Sequence, residues 1–331
     1  MNDIKKRYKE TVNAIGVTLL MWVILFLMLT NIDPIIQLFI PKGTPTVYVD
    51  IVLSVAYDVA YLASFMLPAI LFFHLLKGRK TEPMRLGVKL SGNTFAVIAA
   101  SLAIIFAFSY LNAIFMSYVD IPAQIPTINE APSYMYNYSI VLQFITIALV
   151  PAFCEEFLFR GVILSNLMPY GKAVAIIGSS VLFGLMHGNF YQFLYTTAAG
   201  IVLGTVYVLT ESIWCSTLVH LVNNSISIIQ LAVEERFNGY TASVIFLIIE
   251  GVIFVLGLVS LVFLIVKYGK KTVKPSGESE GVFGVSLGDG SEIGMGVKKG
   301  LSSAEVIRYF FCPTILMFAL YSVVNAILRL V

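Results

Sequence analysis

Apolar runs close to the twenty residues that span a bilayer's hydrocarbon layer fill most of this chain. They lie at about 12–30, 47–76, 94–119, 139–164, 172–187, 193–209, 213–233, 243–267 and 309–328. Apolar residues make up 58% of the chain and charged residues 12%, about half the charged share of a soluble domain. The fold class that follows is all-α, a polytopic transmembrane bundle of about eight to nine helices in a lipid bilayer. A net charge of +2 gives no electrostatic footprint for nucleic acid. Cys154, Cys215 and Cys312 all sit in apolar runs, and an odd count without framework spacing argues against structural disulfides.

The first run follows Lys5, Lys6, Arg7 and Lys9, as a signal peptide would. It is too long for a usual signal, and Asn31-Ile32-Asp33-Pro34 is no small-residue cleavage site, so it reads as a retained helix. With the N-terminus inside, the inner segments 1–10, 77–89, 165–172, 210–212 and 267–308 hold four, five, one, none and seven Lys or Arg, setting Arg160 aside. The outer segments hold only Lys42, Arg236 and Arg329. Nine spans thus satisfy the rule that Lys and Arg stay inside. The expected location is the plasma membrane, with a cytoplasmic N-terminus, an external Lys-free loop at 120–138 and a Gly-, Ser- and Lys-rich cytoplasmic loop at 268–306 that composition makes flexible. Gly200 and Gly204 form a small-xxx-small stripe that lets two helices approach closely.

Against this apolar background, Pro151-Ala-Phe-Cys-Glu155-Glu156-Phe-Leu-Phe-Arg160-Gly161 stands out. A charge at bilayer depth costs roughly 2.5–3.5 kcal/mol even on the lenient insertion scale, so such groups persist when they pair, face a polar cavity or do chemistry. Glu156 and Arg160 are four apart and share a helix face, which reads as a structural pair. Glu155 is rotated about 100° away and is left needing a partner. Pro151 removes a backbone hydrogen bond just before the carboxylates and should kink that helix. Two intramembrane histidines follow, in Phe183-Gly-Leu-Met-His187 and His220-Leu-Val-Asn-Asn224. His220 and Asn224 are four apart and can face one cavity. Gly184 thins its helix one turn before His187 and leaves room for a neighbour or a substrate.

Plainer readings apply to other groups. Asp58 and Glu250 lie in apolar spans and read as structural, His74 ends a helix beside a basic loop and reads as interfacial, and Cys154 reads as a small apolar filler before a nucleophile.

The ordered set EExxxR, FxxxH and HxxxN on successive membrane helices resembles the CPBP family, the CAAX prenyl protease and bacteriocin-processing (Abi) intramembrane proteases. The eukaryotic member is the type II CAAX prenyl endopeptidase, which removes the last three residues of prenylated proteins. The resemblance covers about 151–228, and the flanking helices match only in hydrophobicity. It implies that Glu155 and His187 activate a water, that His220 and Asn224 stabilise the oxyanion or hold the site, and that Glu156 and Arg160 are structural. It implies three regions: N-terminal helices and loops at 1–138, a catalytic core at 139–233, and C-terminal helices at 234–331. The partner expected is a peptide or protein substrate, C-terminal or lipid-modified.

There is no H-E-x-x-H, yet Glu155, His187 and His220 could supply a His-His-Glu set of the kind that leaves an open zinc position. A buried carboxylate could instead act directly as general base. Two rival classes stand beside the protease: a non-catalytic immunity or binding protein of the same fold, which would be expected to lose part of the motif set, and a proton-coupled transporter, disfavoured because no internal repeat is found. One tension remains. In a nine-span arrangement His187 and Glu155 differ in depth by perhaps a dozen ångströms. Extension of the fourth helix to about Leu167, continuation of the fifth past Asn189, or tilt would remove it.

Overall fold

The computed structural model describes residues 3–29, 32–79, 81–88, 91–119, 139–268, 279–280, 284–286, 292–294, 297–298 and 301–328. The helices are α1 (Asp3–Leu29), α2 (Asp33–Gln37), α3 (Thr46–Leu75), α4 (Gly92–Tyr118), α5 (Ile140–Tyr170), α6 (Lys172–Met186), α7 (Phe190–Thr210), α8 (Ile213–Arg236), α9 (Gly239–Tyr268), α10 (Ser303–Phe310) and α11 (Pro313–Leu328). Among the described residues seven helices are long and apolar enough to cross a membrane, or eight if α10 and α11, bent by 62°, form one span. The chain is an all-α polytopic bundle and a multi-pass membrane protein.

Three spans differ in outline from the sequence reading. The basic N-terminal stretch is itself helical, so α1 starts at Asp3. The C-terminal span is broken, because Pro313 can begin a helix but cannot donate a backbone hydrogen bond to the one before it. The third is α5, described below; α6 ends within a residue of the expected 187 and, at 15 residues, is too short to count among the seven. The expected 120–138 loop lies outside the described residues. Within 268–306 the described residues include four strands of two or three residues, β1 (Ser279–Glu280), β2 (Gly284–Ser286), β3 (Glu292–Gly294) and β4 (Val297–Lys298), paired antiparallel as β1 with β4 and β2 with β3.

The depth tension resolves in α5. This helix continues through Leu167 and ends in a 3-10 turn, Met168–Tyr170, so residues expected in an inner loop are helical. Helix α6 does not continue past Asn189. It stops at Met186, Gly188 turns with φ +55°, and the Asn189 side chain caps α7 by accepting from the Tyr191 amide. Two stretches of α5 are π-helical, Phe144–Leu149 and Phe157–Leu164. The first ends just before Pro151, whose ring and missing N–H disturb the ordinary ladder there. The second carries Arg160.

Close packing follows the small residues. A Cβ on Gly200 would lie 3.0 Å from Ser180 Cβ, and one on Gly204 would lie 3.1 Å from Leu164 Cδ1, so the stripe on α7 faces α6 and α5. A Cβ on Gly184 would clash with Thr197 Oγ1; the room beside this residue is taken by α7. At the other side of the molecule, α9 packs on α4 through Gly257 and leaves most of its apolar surface outward, where lipid would lie.

Candidate active site

The site begins with α5, which brings Glu155, Glu156 and Arg160 to mid-bundle, all buried. Arg160 Nη1 lies 2.8 Å from Glu156 Oε1. The contact is one of charge rather than an aligned hydrogen bond, since Nη1 makes none among the described residues. The guanidinium also donates through Nη2 to the Gly200 carbonyl at 3.2 Å and lies 4.6 Å from the centre of the Phe183 ring. The bare edge of α7 at Gly200 therefore presents a carbonyl to the cation.

Glu156 serves a second partner. Its Oε1 accepts from His220 Nδ1 at 3.0 Å. A carboxylate can only accept there, so Nδ1 carries a proton and Nε2 is the nitrogen left for the cavity. That Nε2 lies 3.8 Å from Glu155 Oε2. Glu156 is thus more than the counter-ion of Arg160: it also sets the tautomer and orientation of His220.

Glu155 has the partner that its own helix does not supply. The Tyr61 hydroxyl on α3 donates to Glu155 Oε1 at 2.6 Å, while Oε2 makes no hydrogen bond among the described residues. One oxygen is held and the other is left to accept. His187 is anchored similarly. Its Nδ1 lies 2.9 Å from the Phe183 carbonyl, which can only accept, so Nε2 keeps its lone pair. Phe183 packs edge-on against both imidazoles, with ring centres 4.9 Å from His187 and 5.9 Å from His220. This explains why an aromatic sits four residues before His187.

Glu155, His187, His220 and Asn224 line one open cavity of about 300 Å³, joined by Tyr57, Tyr61, Gln192, Tyr195, Asn223 and Ser227. Tyr195 donates to Asn223 Oδ1 at 2.7 Å, and Asn223 Nδ2 donates to Asn224 Oδ1 at 3.4 Å. With its oxygen so occupied, Asn224 has its amide N–H groups to offer. Tyr61, Tyr195 and Asn223 were not singled out from the sequence; Asn223, next to Asn224, carried the only signal.

The remaining polar groups lie nearby or elsewhere. Thr146, at the cavity wall, donates to Asp58 Oδ2 at 3.1 Å and accepts from Ser54 at 2.8 Å. Glu250 accepts from Tyr110 on the α4–α9 side. Cys154 is buried in the apolar core and is not among the cavity-lining residues.

As a metal site the donors do not assemble. Glu155, His187 and His220 share the cavity, but among the described residues no three His, Cys, Asp or Glu side chains are grouped so as to hold an ion.

Fold and site together define a polytopic membrane protein in which one buried carboxylate, Glu155, and two imidazoles, His187 and His220, line a single cavity. Residues 137–226, a segment that holds all three motifs, match the family described as Rce1-like, type II CAAX prenyl endopeptidase Rce1-like, which supports a likeness to the CAAX proteases. Comparison with curated proteins and with solved structures gave no match.

Proposed function

We propose that the chain is an intramembrane endopeptidase that hydrolyses a peptide bond with a water activated by Glu155 and His187. The observation that carries this reading is the division of acceptors and donors around one cavity. Glu155 Oε2 and His187 Nε2 are acceptors, and a water donating to both directs its lone pair at a carbonyl carbon. Glu155 takes the proton as that oxygen attacks. The negative charge that develops on the carbonyl oxygen is met by the Asn224 amide and by His220 Nε2–H when that ring is protonated on both nitrogens. Collapse breaks the C–N bond, and the proton held by Glu155 passes to the leaving amine. Water enters, two chain ends leave, and the residues return to their starting state.

In this reading Tyr61, Glu156, Phe183 and Asn223 are positioning residues, each fixing a group that touches the water or the peptide. No step requires a metal. The cavity walls supply amide and hydroxyl groups suited to an extended peptide, and the plasma membrane with a cytoplasmic N-terminus is the setting the basic residues favour.

The test is peptide cleavage by the purified protein in detergent, before and after dialysis against a chelator. Cleavage that survives chelation is expected. A chain that binds peptide and never cleaves it supports the binding or immunity role instead, and activity lost with chelation and restored by zinc contradicts the metal-free route.

A further inference from the structure

The site has a direction across the bundle. One end of the bundle is marked by ion pairs: Lys5 with Glu305 at 2.5 Å, Arg79 with Glu10 at 3.0 Å, and Arg85 with Glu211 at 2.6 Å. They tie together the start of α1, the segment after α3, the α7–α8 turn and α10. The stretch 81–88 runs across the same end. Glu82 N donates to Asn166 Oδ1, Arg85 N donates to Tyr207, and Arg85 O accepts from Ile213 N, while Met84 sits on Gly161. Between this stretch and the cavity lies a packed layer in which Arg160, Leu164, Ser165, Tyr207 and Ser216 are all buried. On this side the cavity is floored.

Its walls run toward the opposite end. His220 lies seven residues into α8 from the floored end, and Ser227 lies seven further on and is exposed. At 1.5 Å per residue that is a climb of about 10 Å along the wall. Gln192 is in the first turn of α7, His187 caps the end of α6, and Thr146 is within two turns of the start of α5. All three lie toward the end away from the ion pairs. The Gln192 Oε1 atom is a buried acceptor without a hydrogen-bond partner among the described residues.

Charge assigns the two ends to two sides of the membrane. Among the described residues, the segments joined at the floored end carry Lys5, Lys6, Arg7, Lys9, Lys77, Arg79, Arg85, Lys172, Lys267 and Arg308, against Lys42 and Arg236 at the other. Lys and Arg are retained on the cytoplasmic side. We propose that the cavity opens on the extracytoplasmic face, and that it takes an extended peptide presented from that face, an exported or membrane-inserted segment rather than the C-terminus of a cytoplasmic protein. That this peptide is cleaved rests on the reading above; the sidedness does not.

The test uses the full chain with its three cysteines replaced by alanine and one cysteine added, Ser227→Cys at the mouth or Lys6→Cys at the basic end. A membrane-impermeant maleimide is applied to intact cells and to inverted vesicles. Ser227→Cys should react in intact cells and lose peptide cleavage once modified; Lys6→Cys should react only in inverted vesicles. Reaction of Ser227→Cys from the same side as Lys6→Cys overturns the proposal. So does reaction from neither side in protein that labels normally once denatured, or labelling of Lys6→Cys on intact cells. Correct sidedness in a chain that cleaves nothing leaves the proposal standing and removes the hydrolytic reading alone.

Discussion

Replacing Glu156 by Gln keeps the shape of the side chain and removes its charge from beside Arg160. Both side chains are essentially inaccessible, at 0% and 1% exposed, so no water compensates the stranded guanidinium. Breaking a buried pair by removing one partner costs roughly 3–5 kcal/mol. Two contacts survive on Arg160, the Gly200 carbonyl at 3.2 Å and the Phe183 ring at 4.6 Å, which favours the lower part of that range. The amide can still accept from His220, so the change acts mainly through charge. Glu155→Gln differs in kind. Its partner Tyr61 is neutral and can donate to an amide oxygen as it does to the carboxylate, so a loss of about 1 kcal/mol or less is expected. At about 2.1 cal/mol/K per residue, a chain of 331 residues shifts by roughly 1.4 °C per kcal/mol, so Glu156→Gln should lower the melting temperature by at least about 4 °C, and Glu155→Gln by no more than about 1.5 °C. Thermal unfolding of both variants in the same detergent reads the difference. The reasoning is refuted if Glu155→Gln is the less stable of the two.

Three further outcomes follow. Tyr61→Phe removes the hydrogen bond that holds Glu155 Oε1; it should lower kcat about tenfold with little change in KM, whereas a purely structural role would lower the melting temperature and leave kcat of the folded protein unchanged. Gly184→Ala drives a methyl group into Thr197 and should cost about 1–3 kcal/mol in a melting experiment, with Thr197→Ser in the same chain failing to restore it and Thr197→Gly restoring part. Cys154→Ala should cleave at close to the wild-type rate, since the thiol is buried away from the cavity lining; loss of cleavage in a folded Cys154→Ala chain would reopen a thiol mechanism.

The bundle was legible because its signal is length and hydrophobicity, which survive without any knowledge of packing. The carboxylates and histidines were legible for the opposite reason: each violates the apolar background, and violations that recur on successive helices point inward together. Tyr61 and Tyr195 were not, because a tyrosine in a membrane helix violates nothing. Its ring is at home in apolar surroundings, and only the fold shows that the Tyr61 hydroxyl reaches a carboxylate 94 positions away. The helix ends were misjudged where irregular geometry intervenes. The two π-helical stretches and the 3-10 turn of α5 leave no mark in a hydropathy pattern, whereas α6 ends within a residue of the expected 187. The double role of Glu156 was hidden as well, since spacing along one helix reveals Arg160 and cannot reveal His220, which comes from another.

The most direct measurement of the central claim is single-turnover cleavage of a peptide by Glu155→Gln, compared with wild type after both are matched for folded protein by their melting curves. A positioned general base contributes typically about 10²–10⁴-fold. Wild-type protein should therefore cleave at least about a hundred times faster than Glu155→Gln, with substrate affinity nearly unchanged because the amide keeps the Tyr61 contact. Cleavage by folded Glu155→Gln within a few-fold of wild type would contradict the assignment of this carboxylate as the group that activates water.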